Sequence, residues 1–405
     1  MDVESPEFLE NPYRFYRARR MQSPIFRRNE YIWTITGYKE ISKLLASPAA
    51  GRGNIGQIPT PHGDTSALDQ LKRENPALQI LDQWMLFQNP PQHTCIRKQV
   101  SDVFTVKVVD QLEPLMRATI KTLIANAQAS AATNEFDFVS EIAYPFPLAI
   151  VCELIGIPLE DRDHFQKWTK ELSVAVQDDF RLLPEEQVDQ MNQSAVAIHH
   201  YFEKLLPAKK KSPQDDLMSR LLGLGDGNMA ETQILANCVF LLFAGQDSTT
   251  CLISNAINAL IKHPDQLALL GEQPALIDNA VEECLRFDPS IQMVGRLALD
   301  DIPYQEITIR RGHHMFIFLG AAGHDPEANP HPERFDISRD KIKHLAFARG
   351  AHHCLGASLA RLELKVVLEE VLAAFDNLEF TETPQRRNTW LMRGFDSLPI
   401  KYHAA

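Results

Sequence analysis

The chain has 405 residues, 44% of them hydrophobic, and its formal net charge of −12 at pH 7 comes from 53 Asp and Glu against 41 Lys and Arg. This acidic balance disfavours general nucleic-acid binding, because such binding needs a basic surface. The longest apolar run, ILANCVFLLFAG, is shorter than a membrane span, and the start of the chain has no basic flank followed by an apolar stretch, so we expect neither a membrane anchor nor a secretion signal.

The cysteines and the length bound the class of protein further. The six cysteines lie at positions 95, 152, 238, 251, 284 and 354 and form no CxxC pair. This spacing argues against a zinc site, an iron–sulfur site and a disulfide framework, so we expect reduced thiols and a cytoplasmic protein. No Gly/Ser linker, low-complexity tract or repeat divides the chain, and its composition is compatible with one elaborate domain or with two.

The first third of the chain combines a strand-like segment, an irregular segment and a helix start. The run PIFRRNEYIWTITGY alternates as strands do. Residues 50–85 are rich in Gly, Pro and polar residues and predict a long loop, which is often a substrate-binding lid. In NPPQHTCIRKQV, Pro90 and Pro91 begin a helix that carries His93 and Arg97 at positions i and i+4, on one face.

Helical periodicity dominates the middle of the chain. It predicts helices at about residues 108–128, 140–155, 160–178, 185–207, 230–262 and 274–287. Within the apolar helix 230–262, the segment AGQDSTT is energetically out of place. Two interpretations remain open for it: a kink lined by Ser and Thr, or a place where small residues admit a ligand while an acid and an alcohol relay protons.

Two further features follow in the next part of the chain. Glu283 and Arg286 lie three residues apart on one helix face, a spacing that more commonly means a surface ion pair. Arg296 leads into a strand, and IPYQEITIRRGHHMFIFLG reads as two strands joined at Arg311 and Gly312. The predicted fold class is therefore mainly α with small β-sheets (α+β).

The segment FARGAHHCLG is the most informative one. Cys354 follows a turn at Gly350 and precedes a helical run, so backbone N–H groups and the helix dipole favour its thiolate. A thiolate in this position can be an axial ligand of haem iron, although most isolated cysteines are inert core residues. His352, His93, Arg97 and Arg296 are together four potential donors for a buried dianion. Haem carries two propionates that need such partners.

Over nearly its whole length, the chain resembles the bacterial cytochrome P450s, which are soluble haem-thiolate monooxygenases. The motifs above occur in the order and at the spacing of that family. The resemblance implies a single domain of residues 1–405 with a long distal helix over haem b and the cysteine loop on the proximal side. It also implies a β-rich minor lobe from about residues 20–60 and 295–320.

The resemblance implies roles for individual residues. Cys354 would ligate the iron, with Phe347 packed by the thiolate and Gly356 in the same loop. Asp247 would be the distal acid, with Ser248 at the usual threonine position and Thr249 as its partial substitute. The remaining implied residues are Ala244 and Gly245 in the oxygen-binding groove, His93, Arg97, Arg296 and His352 at the propionates, and Glu283, Arg286 and Arg334 in a buried structural network.

The resemblance also implies the reaction. One oxygen atom from O₂ would enter a C–H bond or an alkene of an apolar small molecule, such as a polyketide, macrolide or terpenoid intermediate. Electrons from NAD(P)H would arrive through ferredoxin reductase and a separate ferredoxin that docks near Arg349, Lys98 and Lys343. The residues expected to contact substrate are Trp84, Phe87, Phe240, Phe243, Gln292, Met293, Val294, Leu391 and Met392.

Three alternative functions remain open, and the chain departs from the usual sequence of the family at four places. The alternatives are an oxygenase of substrates tethered to an acyl or peptidyl carrier protein, a peroxide-driven haem-thiolate enzyme and a non-enzymatic haem sensor. Ala348 stands where the cysteine loop usually has Gly, at a cost of about 1 kcal/mol if its φ is positive. The other departures are Ser248, the sequence Gly323-His324-Asp325-Pro326, and Cys95 in place of a frequent arginine.

Overall fold

The computed structural model of the chain describes residues 3, 5–53, 66–131, 134–177, 183–224 and 229–404. Helices make up most of these residues and small sheets the remainder, which confirms the predicted fold class. In the described ranges, no helix has both the length and the apolar character that crossing a membrane requires.

The α-helices in the described ranges are numbered in chain order. They are α1 (Pro6–Glu10), α2 (Tyr13–Gln22), α3 (Tyr38–Ala46), α4 (Ser66–Glu74), α5 (Pro76–Asp82), α6 (Gln92–Val103), α7 (Val106–Gln111), α8 (Glu113–Ser130), α9 (Pro145–Ile155), α10 (Arg162–Gln177), α11 (Glu185–Lys211), α12 (Leu217–Gly223), α13 (Glu231–Lys262), α14 (Pro264–Glu272), α15 (Ile277–Phe287), α16 (Leu319–Gly323) and α17 (Ala357–Ala374). Short 3₁₀ turns occur at Met85–Phe87, Leu159–Asp161, Pro274–Leu276 and Gly350–His352, and a π-helical turn occurs at Val139–Ala143.

The β-strands are short and lie mostly near the two ends of the chain. They are β1 (Ile25–Arg27), β2 (Ile32–Ile35), β3 (Ala50–Gly51), β4 (Glu135–Asp137), β5 (Val294–Ala298), β6 (Ile302–Tyr304), β7 (Ile307–Ile309), β8 (His314–Ile317), β9 (Phe375–Phe380), β10 (Gln385–Arg386), β11 (Phe395–Ser397) and β12 (Pro399–Ala404).

The largest sheet joins early and late parts of the sequence in the order β1-β2-β8-β5-β3. Strands β2 and β8 run parallel, with Ile35 opposite Ile317, and the other pairs are antiparallel. Strand β3 pairs Gly51 with Leu297 on β5. This pairing matters for the site, because it places the chain that follows β3 beside Arg296 on β5.

Helix α13 is the central element of the hydrophobic core. It has 32 residues and packs against α9, α15 and α17. Its apolar side chains are buried on almost every side, which explains the nearly continuous apolar pattern of this segment. The helix therefore runs through the protein and carries its AGQDSTT segment into the interior.

Several predicted element boundaries differ from the structure. The helix predicted at 108–128 is two helices, α7 and α8, because Pro114 stands in the first turn of a new helix. The helix predicted at 185–207 continues to Lys211 although Pro207 lies inside it. The loop predicted for 50–85 was wrong for its second half, which forms α4 and α5, and residues 54–65 lie outside the described ranges.

Candidate active site

A cavity of about 630 Å³ lies between the middle of α13 and the segment that precedes α17. Cys354 lines one wall of this cavity, and Ala244, Gly245, Ser248 and Thr249 also line it. The structure therefore brings the cysteine motif and the AGQDSTT motif to one site, although more than a hundred positions separate them in the sequence.

The loop before α17 holds Cys354 through its backbone. The Cys354 N–H donates to the carbonyl of Phe347 across 2.9 Å. Gly350 has a φ of 76°, and a Cβ there would lie 2.2 Å from the carbonyl oxygen of Leu45, so this position needs glycine. Ala348 has a φ of 55°, so the departure noted above carries the strain of a left-handed non-glycine residue.

The sequence predicted that the surroundings of Cys354 favour its thiolate, but in the structure they favour the neutral thiol. Cys354 is exposed to the cavity, yet desolvation by the surrounding protein raises its pKa, while the Gly356 N–H and the guanidinium groups of Arg97 and Arg361 lower it by less. The reason is that desolvation of a charged sulfur outweighs these partners. A metal cation held by Cys354 would supply the favourable charge that a thiolate in this position requires.

A group of basic side chains lines the cavity near the cysteine loop. The rings of His93 and His352 lie 4.0 Å apart, centroid to centroid. Arg97 donates to the carbonyl of His353 at 2.6 Å, and Arg296 donates to the carbonyl of Gly295 at 2.9 Å. Among the described residues, neither arginine forms an ion pair with a carboxylate.

These basic groups affect one another. Burial, reinforced by the charges of His93, Arg296, Arg52 and Arg97, lowers the pKa of His352 to about 2. The pKa of His93 falls for similar reasons, with burial as the main cause and Arg97 and Arg296 adding to it. Both imidazoles are therefore neutral N–H donors at neutral pH, and the arginines carry the positive charge.

On the opposite wall, α13 offers small side chains and hydroxyl groups. A Cβ on Gly245 would lie 3.0 Å from Cγ2 of Val151, so the helix packs tightly against α9 at this point. The hydroxyl of Ser248 donates to the carbonyl of Ala244 at 2.7 Å, one turn back along the helix. At Ala244 and Gly245 the helix thus presents small residues to the cavity beside the Ser248 hydroxyl.

Asp247 was predicted to act beside Ser248 but does not line the cavity. Its Oδ1 accepts a hydrogen bond from Nη1 of Arg387 at 2.6 Å. Both side chains are largely buried, with 13% of Asp247 and 16% of Arg387 exposed. The reason for the difference is that helical geometry turns position 247 away from 248, toward the segment that contains β10.

Glu363 on α17 is a cavity residue that the sequence reasoning missed. Its side chain is 1% exposed and lines the cavity. Burial raises the pKa of its carboxyl well above the usual value, and a hydrogen bond with Thr249 lowers it by less. In the described part of the chain its Oε2 has no hydrogen-bond partner. The sequence offered no signal for this residue, because α17 also carries Arg361, Lys365, Glu369 and Glu370.

Two other basic cavity residues were also missed. Arg52 directly follows β3 and lines the cavity. His314 on β8 lines it as well; burial lowers the pKa of this imidazole to about 4, and its Nε2 has no partner among the described residues. The sequence offered no spacing that would link either residue to the cysteine.

The predicted ion pair behind the site is present. Glu283 and Arg286 are fully buried and joined by two hydrogen bonds of 2.6 and 2.7 Å. Arg334 was predicted to join this network; its side chain is exposed, and it takes part through its carbonyl, which accepts from Arg286 at 2.8 Å. The sequence did not predict the guanidinium of Arg339, whose Nε lies 3.1 Å from Oε1 of Glu283.

Most of the predicted substrate contacts line the cavity, and two do not. Those on the wall are Phe87, Phe240, Phe243, Met293, Val294, Leu391 and Met392. Trp84 is fully buried behind this wall, with its ring centroid 5.3 Å from that of Phe240 and 5.4 Å from that of Phe243. Gln292 turns away from the cavity, where it binds the hydroxyl groups of Tyr13 and Tyr16.

The residues present fit a haem group. A thiol lies on one wall, a helix face of small residues lies on the other, and guanidinium and imidazole groups without carboxylate partners lie at the edge. The thiolate is a ligand for iron, and the basic groups are partners for propionates. Cys354 would hold the metal, with Arg97, Arg296, His93 and His352 at the carboxylates.

Comparison with known proteins identifies a family. The profile described as "Cytochrome P450" matches residues 69–403. The chain is 34% identical to a biotin biosynthesis cytochrome P450 of Bacillus subtilis, over 98% of each protein. It is 33% identical to a vitamin D(3) 25-hydroxylase of Pseudonocardia autotrophica, over 98% of this chain and 96% of that enzyme.

A solved structure extends the comparison to three dimensions. The structure of P450BioI in complex with hexadec-9Z-enoic acid ligated acyl carrier protein superimposes with a TM-score of 0.88. The two sequences are 32% identical, and the match covers 98% of this chain and 99% of the other.

Proposed function

The chain belongs to the cytochrome P450 family and is a monooxygenase, and we propose that it inserts one oxygen atom from O₂ into a C–H bond or an alkene of an apolar small molecule. The observation that carries this proposal is the composition of the cavity wall. Apart from the basic groups at its edge, the wall around Cys354 consists largely of Phe, Leu, Met, Val and Ala side chains. Such a surface favours an apolar substrate and excludes water from it.

Haem, when bound, supplies an oxygen-activating iron to which the Cys354 thiolate donates electron density that favours O–O cleavage. The small residues Ala244 and Gly245 leave space on the opposite wall. The Ser248 hydroxyl both donates and accepts, so it can hold a proton at Oγ and pass it on while remaining anchored near the Ala244 carbonyl.

Protons reach Ser248 from acids that do not face it directly. Asp247 can serve only after its carboxylate leaves Arg387, either by rotation or through a bridging water. Thr249 and Glu363 form a second donor pair on the cavity wall. We infer that the Asp247 route connects to the surface and that Glu363 holds a proton inside the cavity.

The apolar cavity wall and two relatives support a proposal for the substrate class. The relatives are named a biotin biosynthesis cytochrome P450 and a vitamin D(3) 25-hydroxylase. We propose a biosynthetic intermediate of the polyketide, macrolide or terpenoid type as the substrate. An acyl chain tethered to a carrier protein is the second candidate, because the similar structure P450BioI was solved with a fatty acid ligated to acyl carrier protein.

Electrons have to come from a separate protein. We propose a ferredoxin, supplied by a ferredoxin reductase, that docks near Arg349, Lys98 and Lys343. All three side chains are exposed, and Arg349 belongs to the loop that holds Cys354. Charge reversal of Arg349 should slow reduction by ferredoxin and weaken its salt dependence; unchanged kinetics would refute this docking site.

The primary test of the function is spectroscopic. The haem-loaded protein, reduced under carbon monoxide, should show the red-shifted thiolate–CO band, and Cys354→Ser should abolish it. Cys95→Ser is the matched control, since Cys95 is exposed on α6 and should leave the band unchanged. A wild-type protein that lacks this band would overturn the proposal.

Ligand titration then separates the substrate candidates. A shift of the Soret band with free apolar compounds supports a free substrate, and a shift only with acylated carrier protein supports the tethered one. Turnover with peroxide alone, at the rate seen with ferredoxin and NAD(P)H, would indicate a peroxide-driven enzyme. Absence of product with every electron donor would indicate a haem sensor.

A further inference from the structure

Arg52 and Arg296 share one hydrogen-bond acceptor. Nη1 of Arg52 donates to the carbonyl oxygen of Gly295 at 2.9 Å, and Nη1 of Arg296 donates to the same oxygen at 2.9 Å. Two guanidinium groups therefore meet at one carbonyl on the cavity wall. Nε of Arg52 donates to the carbonyl of Leu86 at 2.9 Å, so the side-chain bonds of Arg52 to described residues are all to neutral acceptors.

The positive charges of Arg52 and Arg296 repel each other. Burial lowers the pKa of Arg52 to about 10, and burial together with the charge of Arg52 lowers the pKa of Arg296 to about 9. In the described ranges, neither forms an ion pair. Glu363 is the one carboxyl side chain among the described residues of the wall, and its partner is Thr249. Two adjacent cations, Arg296 buried and Arg52 partly buried, call for an anion.

The backbone at Arg52 is held firmly in place. The side-chain amide of Asn89 accepts from the Arg52 N–H and donates to the Arg52 carbonyl, both at 2.8 Å. Asn89 lies three residues before the start of α6, which carries His93 and Arg97. The guanidinium also lies 5.4 Å from the ring centroid of Phe87. Arg52 is thus positioned relative to the other basic residues before any ligand binds.

We propose that Arg52 and Arg296 form a two-guanidinium clamp for one carboxylate, and that this carboxylate is a haem propionate. The planar donor fork of arginine matches the geometry of a carboxylate, and two forks can bind its two oxygens together. Arg97 and the neutral imidazoles of His93 and His352 then serve the second propionate. This assignment makes Arg52 a cofactor-binding residue, and it rests on the haem-binding function proposed above.

The carboxylate could instead belong to a substrate, since the clamp lines the same cavity. Haem retention and ligand affinity distinguish the two sources. The variants are Arg52→Gln, which removes the charge, and Arg52→Lys, which keeps it but loses the fork. Arg28→Gln is the matched control, because Arg28 is an exposed arginine outside the cavity wall.

The first measurement is the rate at which haem transfers from each protein to excess apomyoglobin. Arg52→Gln should release haem about tenfold faster than wild type, because a charge-assisted hydrogen bond is lost, and Arg52→Lys should lie between them. The ferric/ferrous midpoint potential should fall in Arg52→Gln, since removing a positive charge favours the ferric state. Arg28→Gln should match wild type in both measurements.

The second measurement is the Soret shift with hexadecanoic acid and with hexadecanol. If Arg52→Gln retains haem and its potential like wild type but loses affinity for the acid alone, the clamp binds a substrate carboxylate and the haem assignment is wrong. No change in any measurement also overturns the clamp. Failure of the proposed function is distinguishable, because the wild-type protein would then show no thiolate–CO band. If Arg52→Gln does not fold, Arg52→Lys alone tests the same transfer rate.

Discussion

The carboxylate of Asp247 is bound by the guanidinium of Arg387, with Oδ1 2.6 Å from Nη1, although the neighbouring Ser248 lines the cavity. On the proton route proposed above, Asp247 therefore has to exchange this partner. We expect Asp247→Asn to slow product formation about 10- to 100-fold and to increase the solvent isotope effect, because an acid in the proton path is lost.

The control for Asp247 is Asp396→Asn. Asp396 also contacts Arg387, at 3.7 Å, but its side chain is 66% exposed. Steady-state product formation in H₂O and D₂O compares the two variants. An Asp247→Asn enzyme with wild-type turnover would remove Asp247 from the proton path.

Ser248 should control the coupling of electron use to product. Ser248→Ala removes the hydroxyl that donates to Ala244, and we expect continued O₂ reduction with release of peroxide. Peroxide formed per NAD(P)H consumed measures this leak. Ser254→Ala is the control, because Ser254 is a buried serine on the same helix that donates to Cys251. Unchanged coupling in Ser248→Ala would contradict this role.

Glu363 should make stability depend on pH. Burial raises the pKa of this carboxyl well above 4.5, so at higher pH the unfolded chain loses a proton that the folded protein keeps. Wild-type stability therefore falls as pH rises above about 4.5, by at most about 1.4 kcal/mol per pH unit from this group. Glu363→Gln lacks this loss, so its stability relative to wild type should be greater at pH 7.5 than at pH 4.5.

Thermal unfolding of the haem-loaded proteins at both pH values measures the effect of Glu363. Glu379→Gln, which changes an exposed carboxyl on β9, controls for the loss of one negative charge. A relative stability of Glu363→Gln that does not vary between the two pH values would show that the buried carboxyl is ionised in the folded protein.

Arg339 and Arg334 provide a matched pair for the network around Glu283. Arg339→Gln removes the charged donor at 3.1 Å from Glu283 and should destabilise the protein by about 2 kcal/mol or more. Arg334→Gln keeps the backbone carbonyl that the network uses and should change stability by less than about 0.5 kcal/mol. Unfolding midpoints compare them, and equal losses in both variants would refute the assignment.

Ala348→Gly tests the strained position in the cysteine loop. Because Ala348 has a φ of 55°, glycine should relieve the strain and stabilise the loop by up to about 1 kcal/mol. The unfolding midpoint of the haem-loaded protein measures this gain. A lower midpoint would mean that the methyl group contributes packing that outweighs the backbone strain.

The sequence alone determined the fold class, the family resemblance and the motifs at the centre of the cavity wall. These depend on local signals: helical periodicity, the glycine turn before Cys354, and the misplaced polar residues of α13. Each can be read from neighbouring positions because backbone geometry repeats over a few residues. For the same reason, the spacing of three predicted the contact between Glu283 and Arg286, whereas their burial was implied only by the family resemblance.

Tertiary structure alone decided the partners of the charged groups. The sequence could not assign Arg387 to Asp247 or Arg339 to Glu283, since these pairs join distant segments and have no spacing rule. Arg52 reaches the cavity only because β3 pairs with β5 and places it beside Arg296. Glu363 faces the cavity because α17 packs against α13. Periodicity can place a side chain on a face of its own element, whereas its electrostatic environment depends on what packs against that face.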